Sequence, residues 1–151
     1  MKKVGYLDVR VVTKKEAAQR QIDVAINLLH EKEYESAITL AGAAEGLIAG
    51  SDHHLYAAMR QQRSAEYDSI SKRATDLNET RDWLKHATPH LREKRGIGEF
   101  EAWVMVIRAI SKYYAVFREE TKNMNRLIEW SRARDLPKLK LPPDPPSTPR
   151  H

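Results

Sequence analysis

Apolar side chains recur every three or four positions through most of this chain, and the clearest first series is Ala18, Ile22, Ala25, Ile26 and Leu29. That period lays them along one face of a helix, with Arg20, Asp23, Asn27 and Lys32 on the other. Thr13 with Glu16 three residues on has the form of a capping box, which sets the helix start near Lys14. The charged run Glu31, Lys32, Glu33 leaves few residues for a turn, so the next series (Tyr34, Ala37, Ile38, Ala41, Ala44, Ile48) is expected to run antiparallel to the first. Gly50 is the expected stop. Ala41, Gly42, Ala43, Ala44 and Gly46 crowd small side chains into this second helix. Interior glycine costs about 1 kcal/mol relative to alanine, so close packing against a neighbouring helix is expected to compensate.

Ahead of this hairpin, Leu7, Val9 and Val11 alternate with Tyr6, Asp8 and Arg10, the period of a half-buried strand. No second strand is evident. The segment reads either as an extended arm lying on the helices or as a strand that pairs with its copy in another subunit. Beyond Gly50, Ser51 or Asp52 could cap a third helix through Leu55, Tyr56, Met59 and Arg63. An interrupted helical stretch with Tyr67, Ile70, Ala74 and Leu77 follows. A short amphipathic piece, residues 79–87, is closed by Thr88-Pro89 because the residue before proline is pushed out of helical geometry. Residues 89–98 read as a basic exposed loop.

Phe100, Trp103, Ile107, Ile110, Tyr114 and Phe117 then alternate strictly at three and four, which predicts a long core helix inside a bundle. Met124, Leu127, Ile128 and Trp130 make a last amphipathic segment, with Arg118, Lys122 and Arg126 on its other side. Pattern alone leaves open whether residues 99–134 form one helix or two. Pro137 ends the segment. Six of the seven prolines fall from Pro137 to Pro149, so the tail reads as polyproline-like or unstructured. Its Pro146-Ser147-Thr148-Pro149-Arg150 has the spacing that aromatic-lined domains bind.

The pattern therefore predicts an all-α bundle of about five helices built on an N-terminal antiparallel hairpin. Its expected divisions are an extended arm over 1–12, one helical domain over 13–135, and a Pro-rich tail over 136–151. A length of 151 residues is enough for one core. The chain has no cysteine, which excludes disulfides, thiolate catalysis and cysteine-ligated zinc. Asp8 and Arg10 interrupt the apolar run after Met1-Lys2-Lys3, against a signal peptide. No window approaches the roughly 18 apolar residues of a membrane span. A cytoplasmic protein with no membrane partner is the expectation. The net charge of +5 permits an acidic partner such as nucleic acid, although a solvated basic surface explains it as well.

Arg81-Asp82-Trp83-Leu84-Lys85-His86 is the spacing with mechanistic content. Five residues turn a helix so that Arg81 and His86 lie about 140° apart, while Asp82 shares a face with His86. A carboxylate there can orient the imidazole for proton transfer, and Arg81 can hold a phosphate beside it. The bland alternative is a surface Asp-His pair beside an unrelated arginine. His86 with His90, and His53 and His54 with Asp52, offer metal-ligating side chains, but nothing in the sequence joins the two groups, and no metal or cofactor is expected. Gly96-Ile97-Gly98 lacks the strand, lysine and hydroxyl of a phosphate loop.

From Lys15 to Trp130 the chain resembles a family of small uncharacterised bacterial helical proteins. The resemblance is carried by Glu16-Ala17-Ala18, Arg20-Gln21-Ile22-Asp23, Ala25-Ile26, Ser36, Thr39-Leu40-Ala41, Ala43-Ala44, Trp83-Leu84-Lys85-His86-Ala87 and Ile128-Glu129-Trp130. More broadly, a hairpin followed by Arg-x4-His is similar to HEPN domains (higher eukaryote and prokaryote nucleotide-binding), helical bundles that are commonly dimeric. Many are metal-independent ribonucleases; others are inactive or bind nucleotides. The resemblance implies a homodimer that binds or cleaves RNA, or binds a nucleotide, at a cleft between subunits. It also implies that Arg81 contacts the scissile phosphate, His86 moves a proton, and Asp82 is the polar residue after the arginine. Lys85, Arg92, Lys94 and Arg95 would attract phosphate. The alternative is a non-catalytic helical interaction or scaffold protein.

Overall fold

In the computed structural model, which describes residues 7–50, 77–86 and 94–134, the first helix starts where its threonine cap sets it. The Thr13 hydroxyl accepts from the Glu16 N–H at 3.1 Å, and α1 runs Lys14–His30. Its buried residues are Ala18, Ile22, Ala25, Ile26 and Leu29, the five that the spacing selects. The helix ends in a Schellman motif: the Glu33 N–H donates to the Leu28 carbonyl at 2.9 Å and the Lys32 N–H to the Leu29 carbonyl at 3.1 Å. Lys32, at φ 63°, occupies the left-handed position that glycine usually fills.

The chain turns back directly into α2, Tyr34–Leu47, which packs along α1. Gly50 does not stop it. The helix ends earlier, where Ile48 turns extended (φ −89°, ψ 113°) and buries its side chain. Ile48 is the last member of the apolar series, so a further turn as far as Gly50 would bury nothing more on that face.

Residues 77–85 are helical (α3), with Leu77 and Thr80 buried, Arg81, Trp83 and Leu84 half-buried, and Asp82 and Lys85 exposed. α4, Glu99–Phe117, begins with the Glu101 carboxylate accepting from the Gly98 N–H at 3.1 Å. Every residue from 102 to 111 is buried. The predicted stripe therefore understates this helix: Trp103-Val104-Met105-Val106-Ile107 is apolar on all sides and is surrounded accordingly, the expected fate of a helix without a polar face. Tyr113 is buried and Tyr114 only partly, so the seam shifts by one residue at its end.

Residues 99–134 form two helices. Arg118 adopts a left-handed conformation at φ 55°, its N–H bonded to the Tyr114 carbonyl, and Thr121 then caps α5, Lys122–Ala133, by accepting from the Met124 N–H at 3.2 Å. The Thr121 hydroxyl also donates to Asp23 Oδ1 at 2.7 Å, which docks the start of α5 on α1. Trp103 Nε1 donates to Ser131 Oγ at 2.7 Å, tying the other end to α4. A buried indole needs such a partner for its N–H. α4 thus sits in the middle, flanked by α1 and α2. Among the described residues the architecture is an all-α bundle of five helices, none of them long and apolar enough to cross a membrane.

Residues 7–13 carry neither helix nor strand, and Leu7, Val9 and Val11 are 88, 80 and 92% exposed. The described helices give those three side chains no cover. The expected third helix from Ser51 or Asp52, the interrupted stretch through Ala74, the Thr88-Pro89 stop and the Pro-rich tail lie outside the described residues.

Candidate functional site

Three residues of α2, Gly42, Glu45 and Gly46, share one face by their three-and-four spacing, and that face meets α3 and α4. Two glycines leave a groove in which a long side chain can lie against the backbone. Arg81 from α3 fills it. Its Nη2 donates to the Gly42 carbonyl at 2.8 Å, and a Cβ at Gly42 would stand 2.7 Å from Arg81 Nε. The small residues of α2 therefore accommodate a guanidinium as well as a helix backbone, a different use from the helix-to-helix approach their composition suggests.

Glu45 is the anionic centre of this junction. Its Oε1 accepts from Arg108 Nη2 at 2.8 Å and lies 3.7 Å from Arg81 Nη1. Arg108 Nη1 donates to Asn78 Oδ1 on α3 at 3.1 Å, and Lys112 Nζ donates to the Glu45 carbonyl at 3.0 Å. The Arg108 and Glu45 side chains are only 3 and 11% exposed. Burying charges at that depth is tolerated only when they are paired and hydrogen-bonded. One carboxylate thus joins α2 to both α3 and α4. Among the described residues, Glu45 Oε2 and Arg81 Nε are buried without a hydrogen-bond partner.

The residues that the sequence nominates are divided by this geometry. Arg81, 19% exposed in its side chain, is turned toward α2. Asp82, Lys85 and His86 are exposed at the far end and outer side of α3, where the His86 N–H closes the helix on the Asp82 carbonyl at 3.1 Å. The 140° between Arg81 and His86 on one helix thus becomes an inside and an outside position, and one copy of the chain does not join them. Arg95 approaches α3 from the following segment: its Nε donates to Thr80 Oγ1 at 2.8 Å and its Nη2 lies 3.9 Å from Glu79. It is half-buried, and therefore not part of an exposed loop, whereas Lys94 is exposed. Arg92 lies outside the described residues, as do His53, His54 and His90. Among the described residues no group of three or more histidines and carboxylates is gathered.

Glu45, Arg108 and Lys112 escape the spacing argument. The signal for two of them is a lone charge in an apolar setting, Glu45 within Ala-Gly-Ala-Ala-Glu-Gly-Leu and Arg108 within Val-Met-Val-Ile-Arg-Ala-Ile. A side chain of that kind is buried with a partner or not buried at all. Comparison with protein-family models, curated proteins and solved structures finds no match to this chain.

Proposed function

We propose that this chain is a HEPN-like helical protein that binds or cleaves RNA as a homodimer, with the exposed Asp82, Lys85 and His86 edge of α3 from two copies forming the cleft. The observation that carries the reading is the contrast along α3. An exposed carboxylate and imidazole share one face at i and i+4, while the neighbouring arginine is held in a fixed direction by the Gly42 carbonyl and Glu45. That guanidinium is engaged inside the bundle, so contact with phosphate falls to the exposed cations. Lys94 and Lys85 add exposed positive charge nearby in sequence.

Incubating purified protein with end-labelled RNA in EDTA tests this. Expected are metal-independent cleavage lost in His86→Ala, and binding that weakens steeply with salt and loses part of its salt slope in Lys85→Ala. No cleavage and no salt-dependent binding in about 50 mM salt would remove the RNA reading.

The second reading, a non-catalytic scaffold, is favoured by the engagement of Arg81 with α2, which is what a structural arginine does. Under it, Arg81→Ala lowers thermal stability and His86→Ala changes nothing.

A further inference from the structure

Among the described residues, four of the six exposed large apolar residues, Leu7, Val9, Val11 and Val12, fall in the short segment before α1. No described strand lies beside that segment, whose backbone is neither helical nor paired. Leu7, Val9 and Val11 share one face when the chain is extended, and Asp8 and Arg10 share the other. We propose that this arm docks on the same arm of a second copy, as an antiparallel two-stranded ribbon centred on Val9.

The charges choose both direction and register. Centred on Val9, the ribbon sets Asp8 against Arg10 of the second copy, Arg10 against its Asp8, Leu7 against its Val11, and Val9 against itself. A slide of two residues one way opposes Asp8 with Asp8; the other way opposes Arg10 with Arg10. A slide of one turns the apolar face of one strand away from that of the other. In-register parallel strands would also align like charges. Like charges directly opposite are unfavourable and opposite charges favourable in cross-strand pairs. The ribbon has the two-fold symmetry of an isologous contact, in which the same patch serves both subunits. Two short strands alone are marginally stable in water, so the pairing is weak unless the helical bodies also touch. This inference does not depend on the RNA reading, although it supplies a second copy of the kind that reading needs.

Because the chain contains no cysteine, single cysteines report the register directly. Residues directly opposite in an antiparallel pair have Cα atoms about 4.5–5.5 Å apart, within the roughly 4.4–6.8 Å that a disulfide spans. Leu7 and its own copy would be four residues apart along the ribbon, about 13 Å. Under mild oxidation of the full chain, Val9→Cys is expected to form covalent dimer at least tenfold faster than Leu7→Cys or Val11→Cys alone. An equimolar mixture of Leu7→Cys and Val11→Cys is expected to form the heterodimer faster than either forms its homodimer. Adding Asp8→Arg or Arg10→Asp to Val9→Cys should slow its reaction several-fold, and adding both should restore it. Equal rates for all three single cysteines would mean a loose arm colliding at random and would overturn the proposal. So would a Val9→Cys that stays monomeric, the outcome expected if the arm is covered by a different protein. Loss of RNA binding with retained crosslinking would refute only the RNA reading.

Discussion

Gly42 and Gly46 lie one turn apart on α2, yet their surroundings demand different things of them. A methyl at Gly46 would meet Arg81 Nη2 at an ordinary 3.6 Å, whereas at Gly42 it would meet Nε at 2.7 Å and Cδ at 3.0 Å. Gly46→Ala is therefore expected to stabilise by about 1 kcal/mol through helix propensity. Gly42→Ala gains the same term but must displace the guanidinium and its bond to the Gly42 carbonyl, an overpacking cost of about 1–3 kcal/mol plus the lost hydrogen bond. It is expected to lower the melting temperature. Thermal melts of the two variants check this, and the Gly42→Ala penalty should shrink in an Arg81→Ala background. Tyr113 makes a second prediction at this scale. Burial raises its pKa above the usual phenol value, and its hydroxyl donates to Gln19 Oε1 at 3.4 Å. A folded pKa above the unfolded one means stability that is complete below about pH 10 and is lost as pH rises through the folded value. Lys15, raised chiefly by its hydrogen bond to Glu119, acts in the same direction. Melts between pH 8 and 11 should show an alkaline decline that is shallower in Tyr113→Phe.

At the level of elements, the turns carry the departures from expectation. α1 closes with Lys32 at φ 63° and α4 with Arg118 at φ 55°, both in left-handed geometry that costs a non-glycine residue about 1–2 kcal/mol. Neither position announces itself, since the sequence has lysine and arginine where glycine would flag the turn. Arg118 is partly compensated by its guanidinium lying 5.6 Å from the Tyr114 ring centroid. Lys32 is exposed, and Lys32→Gly is expected to raise stability by about 0.5–1 kcal/mol, measured by urea unfolding with unchanged m-value. A drop would mean that the lysine side chain contributes more than its backbone strain costs. The same left-handed residue at Arg118, followed by the Thr121 cap, is why residues 99–134 divide into two helices where continuous periodicity left one or two.

Across the whole molecule, the junction of α2, α3 and α4 is centred on one buried carboxylate. Removing Glu45 leaves Arg108 buried without the anion 2.8 Å away, and breaking a buried pair from one side costs about 3–5 kcal/mol. Glu45→Ala is expected to destabilise by that order and to leave Arg81 held by the Gly42 carbonyl alone. A double Glu45→Leu, Arg108→Leu variant should recover most of the loss, since apolar replacement of both partners is often close to neutral. A double-mutant cycle by chemical denaturation checks it; additive losses would show that the pair is not coupled.

What the sequence by itself determined is local. The Thr13 cap, the five buried positions of α1, the antiparallel return into α2 and the apolar run of α4 all follow from periodicity and end signals within a few residues. The face of α3 that carries Asp82 and His86 is legible for the same reason, since helical spacing alone puts them together. What only the tertiary structure decided is what lies opposite each charge. Arg81 is 39 residues from the Gly42 carbonyl that accepts from it, and Arg108 is 63 residues from Glu45. No periodicity relates such positions. A helix pattern tells which way a side chain points relative to its own axis, whereas its burial and its partner depend on how separate helices dock. That is why Arg81 reads as a free phosphate ligand along the chain and stands in the fold as a guanidinium held between a glycine groove and a buried carboxylate.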